Sequence, residues 1–260
     1  MEFNKSGGLR TKGVNKSSEE NFPLISVITV VYNGVKHLEQ TILSILNQTY
    51  TNIEYLIIDG GSTDGTVEIL KKYEDKIDFW VSEPDKGIYH AMNKGIELAK
   101  GNLISILNSD DWYENYSISE VVTNYKAFPE ADIYHGLHRL WENSEMMGII
   151  GHTNFFLKYG MISHPTCFVK NEVYRNHGVY SLRYRIVSDY ELMLRFNSLK
   201  LKFHLIEKVL ANFRNNGLSN ILKKNTMLET AEIKKKYSLI SPTEMFIARL
   251  GYLARLVFND

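Results

Sequence analysis

Two adjacent carboxylates stand where an apolar segment of the chain ends. The stretch SILNSDDWYEN, from Ser105 to Asn115, places Asp110 and Asp111 directly after a strand-like run. Two ionised carboxylates side by side repel each other, so the pair is unfavourable unless a positive charge lies next to it. Carboxylate oxygens are ligands that hard divalent cations prefer. The pair therefore has two interpretations: a cation site, or a helix N-terminus at which the second carboxylate is solvated.

Further polar side chains follow other apolar segments in the same way. Asn33 ends the run LISVITVVYN, and Asp59 ends the run IEYLIID. Both runs are β-branched and nearly continuous, as in strands covered on both faces. In parallel sheets, ligands bind beyond the carboxyl ends of the strands. We therefore expect Asn33, Asp59 and the acidic pair to converge on one crevice.

The elements that must position these residues alternate between strands and helices. Helical spacing of apolar residues follows three strands, at Leu38, Ile42, Ile45 and Leu46, at Val67, Ile69 and Leu70, and at Ile88, Met92, Ile96 and Ala99. This order predicts an α/β fold, a Rossmann-like, mostly parallel sheet with right-handed crossovers and helices on both faces. After about residue 130 the pattern loosens into a hairpin, a short strand, a helix at SDYELMLRF and a late strand at EKVLANFR.

Composition excludes several classes of protein. The 260 residues carry 30 Lys plus Arg and 30 Asp plus Glu, so no net charge favours nucleic acid. A single cysteine, Cys167, excludes an internal disulfide framework and fits a reducing compartment. No apolar run reaches the roughly 20 residues of a membrane span. The polar N-terminus, residues 1–22, lacks a signal sequence and is predicted to be a disordered arm, so we expect a cytoplasmic protein.

Six segments together resemble family 2 glycosyltransferases of the GT-A fold. They are ISVITVVYNG, SILNQTYTNIEYLIIDGGSTDGT, SEPDKGIYHAMNKGI, GNLISILNSDDWY, SHPTCFVKNEVY and IVSDYELMLR, within roughly residues 24–220. The resemblance implies transfer of a sugar from a nucleotide donor, with inversion of the anomeric centre and with a divalent cation, Mn²⁺ or Mg²⁺. The motifs DGGSTDGT and DKGIYHAMNKG, in the second and third segments, are similar to those of enzymes that build bacterial surface polysaccharides.

The resemblance implies roles for the residues at the strand ends. Asp111 would ligate the metal, and Asp110 would contact the donor ribose or the metal. Asp59 would hold the nucleobase and ribose, although a turn-forming Asp that bonds its own loop is the alternative. Many members have a second acid after this position, where the present chain has Gly60, which leaves the base preference open. Other residues expected in the same pocket are Val30, Tyr32 and Asn33.

The segment SEPDKGIYHAMNKG is implied to lie near the donor diphosphate and sugar. Lys86 offers a positive charge, and Gly87 opens a helix whose N-terminus favours anions. Asp85 and Asn93 are further pocket candidates, whereas a solvated surface lysine is the alternative for Lys86. His90 stands where similar sequences have Asp, so that role is not transferred to it.

Asp189, in VSDYELMLR, is the catalytic base that the resemblance implies. Inverting transfer needs a carboxylate to take the proton of the acceptor hydroxyl. Ser188 and Glu191 also match a capping box, which would make Asp189 an ordinary first-turn acid, and the two interpretations are compatible. His164 is either a contact to the acceptor or to a phosphate, or a loop histidine packed on the core.

We expect four regions: a disordered arm (1–22), a nucleotide-sugar-binding part (23–130), a part with the acceptor site and base (131–220) and C-terminal helices (221–260). The amphipathic helix predicted over Ser241–Asp260 has three possible places: on its own domain, in a homodimer, or on a membrane surface at the inner face of the plasma membrane.

The predicted function is a metal-dependent inverting glycosyltransferase, a hexosyl- or N-acetylhexosaminyltransferase. It would move a sugar from a nucleotide-diphosphate donor, a UDP-sugar, to a saccharide or lipid-linked saccharide in bacterial surface polysaccharide synthesis. One alternative is a sugar nucleotidyltransferase, which would need a Gly-rich, basic phosphate loop after the first strand, where YNGVKHLEQ has one Gly and one Lys. The other is a non-catalytic sugar-binding module, against which the presence of Asp111 and Asp189 argues.

Overall fold

A mixed sheet with helices on both faces organises the chain, of which the computed structural model describes residues 5–215 and 223–240. The strands are β1 (Lys5–Gly7), β2 (Ile25–Val31), β3 (Ile53–Asp59), β4 (Phe79–Ser82), β5 (Leu103–Ile106), β6 (Trp112–Tyr113), β7 (Ile133–Glu142), β8 (Glu145–Ile150), β9 (Phe168–Lys170) and β10 (Phe203–Arg214). The helices are α1 (Leu38–Leu46), α2 (Thr66–Lys72), α3 (Ile88–Leu98), α4 (Ser117–Ala127), α5 (Asn171–His177), α6 (Ser188–Ser198) and α7 (Lys223–Lys236). Short 3-10 helices span Leu9–Lys12, Asn154–Lys158 and His164–Thr166.

The strand order across the sheet is β1-β4-β3-β2-β5-β9-β7-β10-β6, with β8 paired to β7. Strands β2 to β5 run parallel, and β10 runs parallel to β7. Strands β1, β6, β8 and β9 pair antiparallel with their neighbours. The predicted α/β class with a mostly parallel sheet is confirmed.

The register brings the carboxyl ends of the first parallel strands to one level. Val31 lies opposite Asp59, and Asp59 lies opposite Ser82. On the other side of β2, Ile28 lies opposite Ile106, after which β5 runs into the segment with the acidic pair. The loops after β2, β3, β4 and β5 therefore leave the same edge of the sheet, which we call the carboxyl rim.

The two faces of the sheet bury separate apolar layers. Ile28 and Val30 of β2 face the layer formed with α3 and α6, whereas Val27 and Val31 face the layer formed with α1, α2 and α4. Every residue of β2 is buried. The continuous apolar run LISVITVV predicted a strand covered on both faces, and β2 is such a strand.

The N-terminal segment is ordered where the structure describes it. Lys5–Gly7 pairs antiparallel with β4, and Arg10 forms an ion pair with buried Glu54. Lys16 binds Asp78 at 2.9 Å. The prediction of a disordered arm over residues 1–22 is wrong for residues 5–22, because the basic side chains of this polar segment neutralise carboxylates buried in the sheet.

The C-terminal region predicted as helical contains α7, which ends at Lys236. The amphipathic helix predicted over Ser241–Asp260 lies outside the described residues, and so does most of the loop after β10. Within residues 5–215 and 223–240, none of the helices combines the length and apolar character needed to cross a membrane.

Candidate active site

Asp59 is buried at the end of β3 and binds its own loop. Its Oδ2 accepts hydrogen bonds from the backbone N–H groups of Gly61 (3.2 Å) and Ser62 (3.0 Å) and from the Ser82 hydroxyl (2.6 Å). Its Oδ1 accepts from the Ser62 hydroxyl. The structure places Asp59 at the carboxyl rim as expected, but its carboxylate organises the loop, which is the turn-forming alternative.

Asn33 joins the loops that follow β2 and β3. Its backbone is in the left-handed region, with φ 51°. The Asn33 N–H donates to the Ser62 hydroxyl (2.7 Å), and its side-chain oxygen accepts from the Thr63 N–H (3.0 Å). A Cβ atom at Gly60 would lie 3.3 Å from the ring of Tyr32. The glycine therefore lets this exposed aromatic ring lie close against the rim.

Asp85 is the centre of a charged cluster after β4. Its Oδ1 lies 2.8 Å from His90 Nδ1 and 2.9 Å from Lys94 Nζ, and Lys94 also pairs with Glu83. Its buried Oδ2 has no hydrogen-bond partner in the described part of the chain and lies 3.6 Å from the Cβ position of Gly60. A side chain at position 60 would therefore begin in van der Waals contact with this oxygen.

Four other predicted donor-pocket positions differ in their availability. The Val30 side chain is buried in the core, whereas Tyr32 and Lys86 are exposed. The Asn93 side chain holds the backbone of Tyr180, donating to its carbonyl (2.8 Å) and accepting from its N–H (2.9 Å). Asn93 therefore fixes the loop before α6 rather than presenting a free amide.

The acidic pair has a positive partner that the sequence did not reveal. Buried Asp111 accepts a hydrogen bond at Oδ1 from the backbone N–H of Arg214 (3.0 Å). The Arg214 guanidinium donates to the backbone carbonyl of Asp110 and to Gln40, and lies over the Trp112 ring at 4.3 Å. The end of β10 therefore supplies a cation directly beside the pair.

This partner leaves the acidic pair incompletely neutralised. Burial raises the pKa of Asp111 well above its usual range, and the charge of Asp110 raises it further. Burial also raises the pKa of Asp110, while Arg214 acts in the opposite direction. Among the described residues, Asp111 Oδ2 and Asn108 Oδ1 are buried without a hydrogen-bond partner. The turn from 108 to 111 therefore presents two unpaired oxygens.

These oxygens fit a hard cation that takes its other ligands from substrate and water. Mg²⁺ in phosphate-binding sites is typically held by one or two carboxylates together with phosphate oxygens. Within residues 5–215 and 223–240, no group of three His, Cys, Asp or Glu side chains could hold a metal ion. The two oxygens, one from a carboxylate and one from an amide, could supply part of the coordination of such an ion.

Asp189 lies half-buried in the first turn of α6. Its Oδ1 accepts from the Tyr190 N–H (2.9 Å) and lies 3.1 Å from the Tyr89 hydroxyl. The Tyr89 ring stacks on Tyr180 with centroids 5.5 Å apart, and the Tyr180 hydroxyl lies 2.8 Å from His164 Nε2. Burial lowers the pKa of His164, and the charge of Asp189 opposes that effect. His164 is thus near Asp189, linked to it through two tyrosines.

The capping box predicted at the start of α6 does not form. The Ser188 hydroxyl donates to the carbonyl of Ser181 (2.8 Å). Buried Glu191 instead binds Lys236 and the Tyr237 hydroxyl, which follow on the chain much later. Asp189 remains a first-turn acid, but the motif Ser-x-x-Glu serves tertiary contacts.

The first turn of α3 connects the surroundings of Asp85 with those of Asp189. Adjacent residues Tyr89 and His90 contact Asp189 and Asp85, respectively. Sequence reasoning missed Tyr89, Tyr180, Asn108 and Arg214. Only Arg214 had a signal, since it ends a predicted strand as Asp59 does.

The family model "Glycosyl transferase family 2" matches residues 26–183. The chain belongs to glycosyltransferase family 2. The predicted family and enzyme class are confirmed. An uncharacterized glycosyltransferase of Mycobacterium tuberculosis is 33% identical over 181 residues, covering 66% of this chain and 68% of the relative.

Solved structures have the same fold at low sequence identity. S. aureus TarS 1–349 in complex with UDP-GlcNAc has a TM-score of 0.68 at 16% identity, covering 86% of this glycosyltransferase and 69% of TarS 1–349. The chain spans 39% of a longer TarS structure. The mannosyltransferase PcManGT from Pyrobaculum calidifontis, in complex with GDP-Man and Mn²⁺, has a TM-score of 0.65 at 15% identity, covering 91% and 72%.

Proposed function

We propose that the protein is a divalent-metal-dependent, inverting transferase that uses a UDP-sugar and glycosylates a saccharide or lipid-linked saccharide in bacterial surface polysaccharide synthesis. The observation that carries the proposal is the buried Oδ2 of Asp111, which has no hydrogen-bond partner among the described residues and lies next to a second carboxylate and a fixed arginine. Two buried carboxylates are unfavourable without a further cation beside them, and they become favourable when a cation binds there together with a diphosphate.

Asp111 and Asn108 are the residues that would hold the cation. When bound, a divalent ion would neutralise the charge that develops on the leaving nucleoside diphosphate. The Arg214 guanidinium lies beside the same carboxylates and would add to the positive field there. Lys86 and the N-terminus of α3 favour an anion on the neighbouring loop.

Asp189 would act as the general base. Its carboxylate would take the proton of the acceptor hydroxyl as that oxygen attacks the anomeric carbon from the side opposite the leaving group, which inverts the configuration. The first turn of a helix stabilises the ionised form of a carboxylate. Tyr89, 3.1 Å from Oδ1, would orient this carboxylate.

The comparisons support the donor class and leave the base open. One structural neighbour is described with UDP-GlcNAc, and another with GDP-Man and Mn²⁺. We favour UDP because the sequence resemblance predicted a UDP-sugar donor, and TarS is described with UDP-GlcNAc and with UDP. The acceptor class rests on the resemblance of DGGSTDGT and DKGIYHAMNKG to enzymes of surface polysaccharide synthesis.

A thermal-shift screen of nucleotide sugars with and without Mn²⁺ tests the donor and the metal. A ligand that binds only the folded protein raises the free energy of unfolding by about 2.7 kcal/mol when its concentration is about 100 times Kd. We expect a UDP-sugar with Mn²⁺ to give the largest increase in melting temperature. Asp111→Asn should abolish the Mn²⁺-dependent part, while Asp75→Asn, an exposed control on the surface after α2, should not.

Asp189→Asn separates binding from chemistry. The variant should keep the thermal shift with the UDP-sugar and Mn²⁺. It should lose both the transfer reaction and the slow background hydrolysis of the donor. Near-normal turnover in Asp189→Asn would remove this residue from the mechanism. Release of pyrophosphate instead of nucleoside diphosphate would show that the protein is a nucleotidyltransferase.

A further inference from the structure

Glu229, on α7, binds three consecutive backbone N–H groups of the segment 185–187. The N–H of Arg185 donates to Oε1 at 3.0 Å, and the N–H groups of Ile186 and Val187 donate to Oε2 at 3.0 and 3.3 Å. Hydrogen bonds to an ionised acceptor are roughly twice as strong as neutral ones. One carboxylate therefore fixes the backbone that leads directly into α6.

The same backbone segment holds the surroundings of Asp189. Ile186 accepts a hydrogen bond at its carbonyl from the Tyr89 hydroxyl at 2.6 Å, and this hydroxyl lies 3.1 Å from Asp189 Oδ1. Val187 is the N-cap residue of α6, with Asp189 two positions later. A displacement of this segment would therefore move both Asp189 and the tyrosine that contacts it.

Helix α7 is itself attached to α6 and to the 3-10 helix next to it. Lys236 binds Glu191 at 2.7 Å, and the Tyr237 hydroxyl binds the same carboxylate at 2.9 Å. Lys234 donates to the backbone carbonyl of Tyr159 at 2.8 Å. These contacts make α7 a fixed support for Glu229. The support lies beyond residues 26–183, which the family model matches.

We propose that Glu229 is a positioning residue for the catalytic base, and that α7 completes the surroundings of Asp189, which itself lies beyond the residues 26–183 that the family model matches. The proposal rests on the proposed role of Asp189. Glu229 acts through the backbone of 185–187, and it places the Asp189 carboxylate without contacting substrate. A misplacement of about 1 Å can reduce a reaction rate about 100-fold.

The test compares Glu229→Gln with Glu232→Gln. Glu232 lies three residues later on α7 and, among the residues that the structure describes, pairs with exposed Arg183 alone, at 3.5 Å, so it controls for the loss of a charge on this helix. We expect Glu229→Gln to lower kcat for hydrolysis of UDP-GlcNAc with Mn²⁺ by roughly tenfold to a hundredfold. The KM for the donor should stay about constant, because the loops proposed to hold the donor follow β2, β3, β4 and β5 and do not include the segment 185–187. Glu232→Gln should keep both parental values.

Amide hydrogen exchange gives a readout independent of activity. The amides of Arg185, Ile186 and Val187 should exchange faster in Glu229→Gln and remain protected in Glu232→Gln. Parental kcat in Glu229→Gln, unchanged protection of these amides, or an equal loss in Glu232→Gln would each overturn the proposal. If Glu229→Gln does not fold, Glu229→Asp, which keeps the charge on a shorter side chain, should show the same lowered kcat at parental KM.

The outcome for Asp189→Asn distinguishes the two proposals. If Asp189→Asn is inactive and Glu229→Gln is fully active, the base assignment stands and the positioning role of Glu229 is wrong. If Asp189→Asn is active, the base assignment itself is wrong.

Discussion

At the scale of single residues, two buried aspartates of the carboxyl rim have opposite states. Asp59 has four donors around its two carboxylate oxygens, and its charge is satisfied by its loop. Within residues 5–215 and 223–240, Asp111 has one donor, the Arg214 backbone N–H, and one oxygen without a partner. A buried polar atom without a partner is costly and is therefore a better sign of a missing ligand than burial alone.

Arg214 should stabilise the metal-free protein. Its guanidinium contacts the Asp110 carbonyl and the Trp112 ring and offsets part of the repulsion between the two carboxylates. We expect Arg214→Gln to lower the free energy of unfolding in EDTA by about 1–2 kcal/mol. Arg214→Lys should fall between, because lysine keeps the charge but loses the planar contacts.

Chemical denaturation of both variants with EDTA, and with UDP and Mn²⁺, checks this prediction. The difference from the wild type should shrink with UDP and Mn²⁺, because the metal then neutralises the same carboxylates. Arg175→Gln, an exposed change on α5, is the matched control. A wild-type unfolding free energy for Arg214→Gln in EDTA would show that the acidic pair does not need this cation.

A local pattern in the sequence singles out the acidic pair, whereas the resemblance of its segment to the family singles out Asp189 as the base. Asp110 and Asp111 follow a strand directly, and Asp189 begins an apolar-periodic helix. Arg214 is 103 positions from Asp111, and Glu229 is 44 positions from Arg185. No local pattern connects such pairs, since only the tertiary fold brings them together.

At the scale of elements, β7 carries two buried histidines. Burial lowers the pKa of His135 and of His138 to about 4. Both are therefore neutral in the folded protein at pH 6, whereas unfolded histidines with a pKa of about 6.5 bind protons there. The unfolded state takes up more protons than the folded state between these values, so stability falls as the pH falls from about 6.5 to about 4.

Replacing both histidines by glutamine should flatten this pH dependence. The shift corresponds to roughly 3 kcal/mol per histidine at full effect. We expect urea denaturation at pH 6.5 and pH 4.5 to show a smaller loss of unfolding free energy in the double variant than in the wild type, whatever its absolute stability. His177→Gln, at the end of α5, serves as the control. An unchanged slope in the double variant would mean that other groups dominate acid unfolding.

Strands were predictable where both faces are covered and not where pairing is long-range. The run IEYLIID predicted β3 with its observed bounds, Ile53–Asp59. Strand β6 has only two residues and pairs with β10, which is distant in sequence. Strand β1 has the sequence KSG, which has no strand propensity and is ordered by its pairing with β4. Apolar periodicity cannot indicate strands whose order depends on a neighbour's backbone.

At the scale of the whole molecule, stability and chemistry are placed at opposite ends of the strands. Glu54 is the second residue of β3, and Asp59, at the rim, is the last. Arg10 and Lys16 of the N-terminal segment neutralise Glu54 and Asp78 far from the rim. The net charge of zero is thus arranged as local pairs, which composition alone does not show.

Arg10→Met should therefore destabilise the protein without changing its chemistry. Glu54 is buried, and without Arg10 its remaining donors in the described part of the chain are the Ser26 hydroxyl and the Lys100 N–H. Removing one partner of a buried ion pair costs about 3–5 kcal/mol. Lys12→Met is the matched control, because Lys12 pairs with exposed Asp75 at the surface and its loss should change the unfolding free energy far less. Urea denaturation measures both changes. Below the melting temperature, the Kd of Arg10→Met for UDP with Mn²⁺ should equal that of the wild type, and a weaker Kd would show that the N-terminal segment also supports the rim.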